Sequence, residues 1–168
     1  SLQPVFDPEG TTTAGNAPGV NDGASCVIVA SEEFARERGL EVLATIVAQG
    51  YVADDFAYLA RTPANAAAQA LAKAGASIAD VRRVEINEAF ASVASHSTQL
   101  LGASEELVNV NGGAIALGHP IGASGGRIVG TLVHELRRSG GGLGLAAICS
   151  GGGQGDALGC TFRGNYYD

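Results

Sequence analysis

Apolar and polar positions come in blocks along this chain, and the blocks change period. Ala24 to Ala30 is short, apolar and β-branched, which predicts a buried strand. A helix follows, with Ser31 as N-cap, Glu32 and Glu33 at the positive end of its dipole, and Gly39 as its stop. Val42 to Val52 predicts a second strand, and Thr62-Pro63 opens a helix that runs through Ala70 and Leu71 to Gly75. Val81 to Ile86 predicts a third strand. It feeds a helix from Glu88 to about Leu101, whose many Ala and Ser residues permit close packing. Ser124 is placed to cap the next helix, where Ile128, Leu132 and Leu136 recur every four residues with Val129 and Val133 beside them, a stripe made to face a core. Leu143 to Ile148 is the last buried strand. Strands alternating with helices predict a layered α/β domain with a mixed, largely parallel sheet between helices.

Composition narrows the function classes. At 46% hydrophobic and 16% charged over 168 residues, the chain has the makings of one core and none of the signature of disorder. A net charge of −7, with Lys73 as the single lysine, removes the electrostatic basis for nucleic-acid binding. No window approaches the roughly 18 apolar residues of a spanning helix, so no membrane partner is expected. The first residues lack the basic n-region of a signal peptide. Cys26, Cys149 and Cys160 are an odd number at mostly long spacings, which fits a reduced, cytoplasmic setting better than a disulfide framework. Gly is the outlier, 25 of 168 residues. It gathers in three runs, Gly10 to Gly23, Gly112 to Gly126 and Gly140 to Gly155.

Those runs frame the candidate chemistry. Asn87-Glu88-Ala89-Phe90-Ala91 lies where a strand gives way to a helix, the carboxyl edge at which open α/β sheets bind ligands. Capping by Asn87, with Glu88 complementing the helix dipole, would account for the same residues. Gly118-His119-Pro120 holds an imidazole on a restricted loop, suited to acid–base work near neutrality or simply solvated. Cys149-Ser150-Gly151-Gly152-Gly153-Gln154-Gly155 delivers a thiol to a sheet edge beside backbone N–H groups. Such groups lower a thiol pKa or form an oxyanion hole, while a structural Cys at a tight turn would look the same. Gly122-Ala123-Ser124-Gly125-Gly126 formally matches a nucleophile elbow, but no strand leads in and no acid lies between Ser124 and His134. Neither dinucleotide nor P-loop glycine motifs occur. His96, His119 and His134 lack metal-ligand spacing, so no metal is expected, and His96 is expected to be packed or solvated on its helix.

Taken together, Asn87-Glu88-Ala89-Phe90, Gly118-His119-Pro120 and Cys149-x-Gly151-Gly152-Gly153-x-Gly155, in this order and with separations of 32 and 30 residues from Asn87 to His119 to Cys149, resemble the C-terminal half of the thiolase family. That family comprises the acetyl-CoA acetyltransferases and 3-ketoacyl-CoA thiolases. Gly10 to Ala24 looks like the stretch by which thiolases enter this half. Residues 1–23 are therefore expected to be a lead-in segment joined to an N-terminal half, and 24–168 a thiolase C-terminal domain.

The resemblance implies an acyltransferase that performs Claisen condensation of acyl-CoA or thiolytic cleavage of 3-ketoacyl-CoA. It implies His119 as the base that activates a nucleophilic thiol and helps bind a thioester oxyanion, and Asn87 as holder of a water serving the same oxyanion. Cys149 would be the second acid–base, and the Gly151 N–H part of another oxyanion hole. Ala89 and Phe90 would line the pantetheine channel, with Ala17 and Pro18 near the ligand. Coenzyme A and acyl-CoA would be substrates, no cofactor being permanently bound. The partners implied are the N-terminal thiolase half and, in the full-length enzyme, further copies of itself. The family's nucleophilic Cys belongs to that other half, and neither Cys26 nor Cys160 stands in its motif, so this chain alone is not expected to form an acyl-enzyme. An apolar surface meant for the missing mate is expected to be exposed. Pro18 stands where the family commonly has Ser, Asp156 replaces a usually uncharged residue, and Gly159 to Asp168 does not look like a final thiolase strand. The alternative reading is a domain that binds CoA esters or a protein partner without turnover.

Overall fold

Small side chains set the architecture. The computed structural model describes residues 2–162. Its elements are α1 (Glu32–Glu37), β1 (Thr45–Ala53), α2 (Thr62–Lys73), β2 (Val81–Ile86), α3 (Ala91–Leu101), α4 (Ala114–Leu117), α5 (Ser124–Arg138), β3 (Gly142–Ser150) and β4 (Gln154–Phe162). Helix α2 carries Pro63 in its first turn and buries Ala64, Ala66, Ala67 and Ala70. With so little side chain between them, its backbone lies directly on the sheet. A Cβ on Gly50 of β1 would overlap the Ala66 carbonyl oxygen, and one on Gly155 of β4 would overlap the Thr62 carbonyl.

The sheet has the order β1-β4-β3-β2. β3 runs parallel to β2, while β4 is antiparallel to both β1 and β3. The α/β layering is as expected, but the largely parallel sheet narrows to one parallel pair. The cause is the glycine run after Cys149. Gly152 and Gly153 take φ of +78° and +74°, which only glycine adopts freely, and turn the chain straight back as a hairpin. Along β3 the faces alternate: Leu145 and Ala147 join the α2-side core, and Ala146 meets Ile128, Leu132 and Leu136 of α5 on the other.

Three expectations fail locally. Ala24–Ala30 forms no strand: Val27, Ile28 and Val29 are 56%, 90% and 72% exposed, and no backbone among the described residues pairs with them. Helix α3 starts at Ala91 rather than Glu88, with Phe90 at its N-cap, since the side chains of Asn87 and Glu88 are engaged elsewhere. The ending does form a last strand. Asp156 and Gly159 to Phe162 lie in β4, in register with β1 and β3, and residues 163–168 of the atypical ending lie outside the described residues. Helix α1 follows its caps as read, Ser31 accepting from the Phe34 N–H. No helix among the described residues is long and apolar enough to cross a membrane.

Candidate active site

The parallel pair builds one edge of the site. Ile86 lies opposite Ala147, and the Asn87 N–H donates to the Ala147 carbonyl at 2.9 Å, so Asn87 stands just past the carboxyl end of β2. Cys149 emerges two residues beyond Ala147 on β3, opposite Gly155 across the hairpin. His119 arrives from a loop. Gly118 turns that loop at φ +101°, where a Cβ would press on Asn21, and the His119 N–H donates to Asn21 Oδ1 at 3.0 Å. A bridge between Val20 and His119 continues this contact, so the lead-in segment splints the histidine loop.

Asn87 and His119 then meet. Asn87 Nδ2 is 3.4 Å from His119 Nε2, and Arg127 Nη2 donates to Asn87 Oδ1 at 3.2 Å. On the ring's far side Ser124 Oγ is 2.7 Å from Nδ1 and donates to the Pro120 carbonyl at 2.9 Å. Asn87 is buried and caps nothing. Ser124, the first residue of α5, also makes no cap, its hydroxyl being spent on Pro120 and His119. Fully buried, it is no exposed nucleophile either. Cys149 joins none of these hydrogen bonds.

Burial sets the electrostatics. It pushes His119 below its ordinary 6.5, helped by the Arg127 charge, so the imidazole is neutral at pH 7. Burial likewise pushes the Cys149 thiol above 9.0, against the lowering expected from glycine-freed N–H groups. Cys149 is thus a protonated thiol, a proton donor rather than a standing thiolate. Gly151 opens the hairpin turn, exposed and with open space around it.

The residues expected near the ligand converge on one another. The Ala91 N–H donates to the Asn16 carbonyl at 2.9 Å, which brings Ala17 and Pro18 alongside Ala89 and Phe90. All four are half-buried. Phe6 meets Phe90 edge to face, with ring centroids 6.0 Å apart. His96 and His134 are exposed, and the described residues contain no cluster of three or more groups able to hold a metal ion.

Residues 40–161 match the family model of the thiolase C-terminal domain, and residues 1–33 match that of the thiolase N-terminal domain. The chain belongs to the thiolase family. It is 50% identical over 162 residues to an acetyl-CoA acetyltransferase of Rhizobium meliloti (strain 1021), covering 96% of this chain and 41% of that protein. A probable acetyl-CoA acetyltransferase of Mycobacterium tuberculosis (strain ATCC 25618 / H37Rv) is 51% identical over 157 residues, 94% of this chain and 40% of the relative. Among solved structures, the Bacillus anthracis acetyl-CoA acetyltransferase superposes with a TM-score of 0.92 at 44% identity, and human mitochondrial 3-ketoacyl-CoA thiolase in complex with CoA with 0.87 at 42%. Each superposition covers 95% of this chain, with 41% and 40% of the respective structure. The chain spans about two fifths of the length of the relatives it matches.

Several residues that contact the candidate site of this thiolase segment escaped sequence reasoning. Arg127 gave one faint signal, a cation in the first turn of α5, beside the apolar stripe. Asn21 gave none beyond its place in a glycine run. Glu88 braces the site instead of complementing a dipole: its carboxylate accepts from the Ile115 N–H at 2.9 Å and from Asn109 Nδ2 at 3.1 Å, holding the loop before α4 against the end of β2.

A buried carboxylate on β2 gives this thiolase segment a pH dependence. Burial on β2 lifts Glu85 from 4.5 to about 7, although the Arg127 charge pulls it down. Between those values the unfolded chain has lost a proton that the folded chain keeps. Stability therefore falls as pH rises from 4.5 through about 7, by on the order of 3 kcal/mol at most. Glu135 of α5 acts in another window. Hydrogen bonds from Asn111, Arg83 and Arg138 hold it at about 2, so its contribution is complete above 4.5 and is lost only as pH drops toward 2. Glu85→Gln is expected to flatten the melting temperature between about pH 5 and 8 while leaving the acid limb unchanged. Parallel pH curves for variant and parent would contradict the assignment.

Proposed function

We propose that this chain supplies the histidine, cysteine and asparagine part of a thiolase active site, in which acyl groups move by thiolytic cleavage of 3-ketoacyl-CoA or by the reverse Claisen condensation. The observation that carries this reading is the contact of Asn87 with a half-buried, neutral His119 at the sheet edge where Cys149 emerges. The nucleophilic thiol comes from the N-terminal half. In the cleavage direction His119 accepts that thiol's proton, and the thiolate adds to the keto carbon. The carbon–carbon bond then breaks, leaving an acyl-enzyme and the enolate of the departing acyl-CoA. Cys149, held protonated by burial, gives its proton to the enolate α-carbon and recovers one from the incoming CoA thiol. Asn87, through a water, and the Gly151 N–H meet oxyanion charge. Each positioned acid–base contributes roughly 10²–10⁴ in rate, and each preorganised oxyanion donor about 10²–10³.

Ala17, Pro18, Ala89 and Phe90 form a wall for the pantetheine arm, a reading supported by the Asn16–Ala91 hydrogen bond that joins their two segments. Coenzyme A and its thioesters pass through as substrates. The remaining partners are the N-terminal half and, in the complete enzyme, further copies in a homo-oligomer. Three unpaired cysteines support a reduced, cytoplasmic setting.

Thiolysis of acetoacetyl-CoA, followed by loss of its absorbance, tests this. The chain by itself is expected to give no turnover, and the chain joined to an N-terminal thiolase half to give turnover that depends on CoA. Turnover by the chain alone would overturn the division of labour. A folded, joined protein that binds CoA esters without cleaving them would favour the non-catalytic alternative.

A further inference from the structure

Two hydrogen-bond chains end on the His119 ring, one at each nitrogen, and each can be read from groups whose donor or acceptor character is not in question. On one side stands Arg127. A guanidinium has N–H donors and no acceptor. The Asn87 atom 3.2 Å from Arg127 Nη2 is therefore the carboxamide oxygen, and the Asn87 atom facing His119 Nε2 at 3.4 Å is the NH₂ group. Facing a donor, Nε2 presents its lone pair. Arg127 Nε and Nη1 are buried without a hydrogen-bond partner among the described residues, so Asn87 is the group toward which this side chain is directed.

On the other side stands the Pro120 carbonyl, which only accepts. That carbonyl also accepts from the Ala123 and Ser124 N–H groups, and Ser124 Oγ lies 2.9 Å from it. With Nε2 presenting its lone pair to Asn87, the neutral ring carries its proton on Nδ1, and Ser124 Oγ at 2.7 Å is placed to accept from it while donating to Pro120. The Arg127 side fixes the order of donors and acceptors, and the Ser124 side completes it.

We propose that Ser124 and Arg127 are positioning residues that lock His119 as the Nδ1–H tautomer, leaving Nε2 as its basic atom. Resting on the reading of His119 as a catalytic base, this deepens it by naming the atom that takes the proton and the residues that choose it. Free imidazole side chains in water prefer the opposite tautomer, with the proton on Nε2, so the preference has to be imposed by neighbours. A fully buried serine at the first position of α5, making no cap, is otherwise unexplained. The same reading accounts for the nucleophile-elbow pattern around Ser124, whose hydroxyl is an orienting group and not an attacking one.

Nitrogen-15 NMR of the histidine-labelled chain tests the proposal directly, with the His119 signals assigned by their loss in His119→Gln. The exposed His96 and His134 serve as internal references for unconstrained rings. At pH 7 His119 is expected to show a pyrrole-type Nδ1 and a pyridine-type Nε2. In Ser124→Ala, where Asn87 still turns its NH₂ group to Nε2, the Nδ1–H form is expected to lose a measurable share of its population to the Nε2–H form. In the chain joined to an N-terminal half, the same variant is expected to lower kcat about ten- to hundredfold, the usual cost of losing a group that orients a reacting imidazole, with KM within a few-fold of the parent. A pyridine-type Nδ1 in the unmodified chain would overturn the proposal, whatever the variants do. So would an unchanged tautomer in Ser124→Ala. Full activity in His119→Ala would instead sink the catalytic reading while leaving the tautomer standing, so the two failures are distinct.

Discussion

Replacing His119 with alanine in the joined enzyme is expected to lower kcat/KM for thiolysis by about 10²–10⁴, the range for loss of a positioned acid–base. The removed ring is the group that Asn87 and Ser124 hold between them, while Asn21 holds the His119 backbone, so no neighbour substitutes for it. Cys149→Ala is expected to fall in the same range, because it removes the proton donor for the departing enolate. The pH profile carries a second, independent check. Burial and the Arg127 charge lower the His119 pKa, so the ring stays unprotonated, and the base stays available, to a pH below the ordinary 6.5. The acid limb contributed by His119 therefore lies below 6.5 and is absent from the residual activity of His119→Ala. On the alkaline side Cys149, raised above 9.0, keeps its proton through neutrality, so its limb lies above 9.0. A His119→Ala enzyme with parental rate and profile would remove the basis for assigning chemistry to this chain.

The largest effect on the fold is expected from a single methyl group. In Gly50→Ala the new Cβ would lie 2.0 Å from the Ala66 carbonyl oxygen and 2.8 Å from the Ala70 amide nitrogen, both backbone atoms of α2. A side chain can rotate away from such a clash, but a helix backbone can only move as a whole. Overpacking of this kind costs about 3 kcal/mol or more. For a domain of this size that lowers the melting temperature by roughly 6–12 °C. Gly130→Ala is the matched control. It lies in the middle of α5, and the added methyl would meet nothing within 4 Å, so it is expected to be neutral or to gain up to about 1 kcal/mol from helix propensity. Thermal unfolding followed by circular dichroism reads both. Equal melting temperatures for Gly50→Ala and the parent would mean that α2 does not rest on β1 as described.

These two effects differ in how far they could be seen beforehand. His119 and Cys149 stood out because each lies in a glycine-marked segment at a loop or a turn, and Asn87 because it follows the end of a strand, features that are local in sequence. Gly50 did not stand out at all. It sits in the middle of an apolar run, and nothing nearby in sequence shows that a helix backbone lies against it. Arg127 did not stand out either, and Ser124 stood out only for roles it does not play, a helix cap and a nucleophile. Their roles follow from which atoms they meet on the Pro120 loop and at the end of β2, and Asn87 lies 40 positions away from Arg127.

What the sequence by itself determined was the set of elements with a strong internal period or cap: α2, β2, α5 and β3, together with the three motifs that mark the thiolase pattern. Those signals come from interactions within a few residues, and so survive without knowledge of the partner. Only the tertiary structure decided the fate of Ala24–Ala30, the antiparallel course of β4, the upward shift of the Cys149 thiol and the hydrogen-bond chains that end on His119. Strand pairing, desolvation and side-chain hydrogen bonding all depend on what lies across space. An apolar run without a pairing backbone remains an exposed coil, and a thiol's acidity follows its burial more than the glycines beside it.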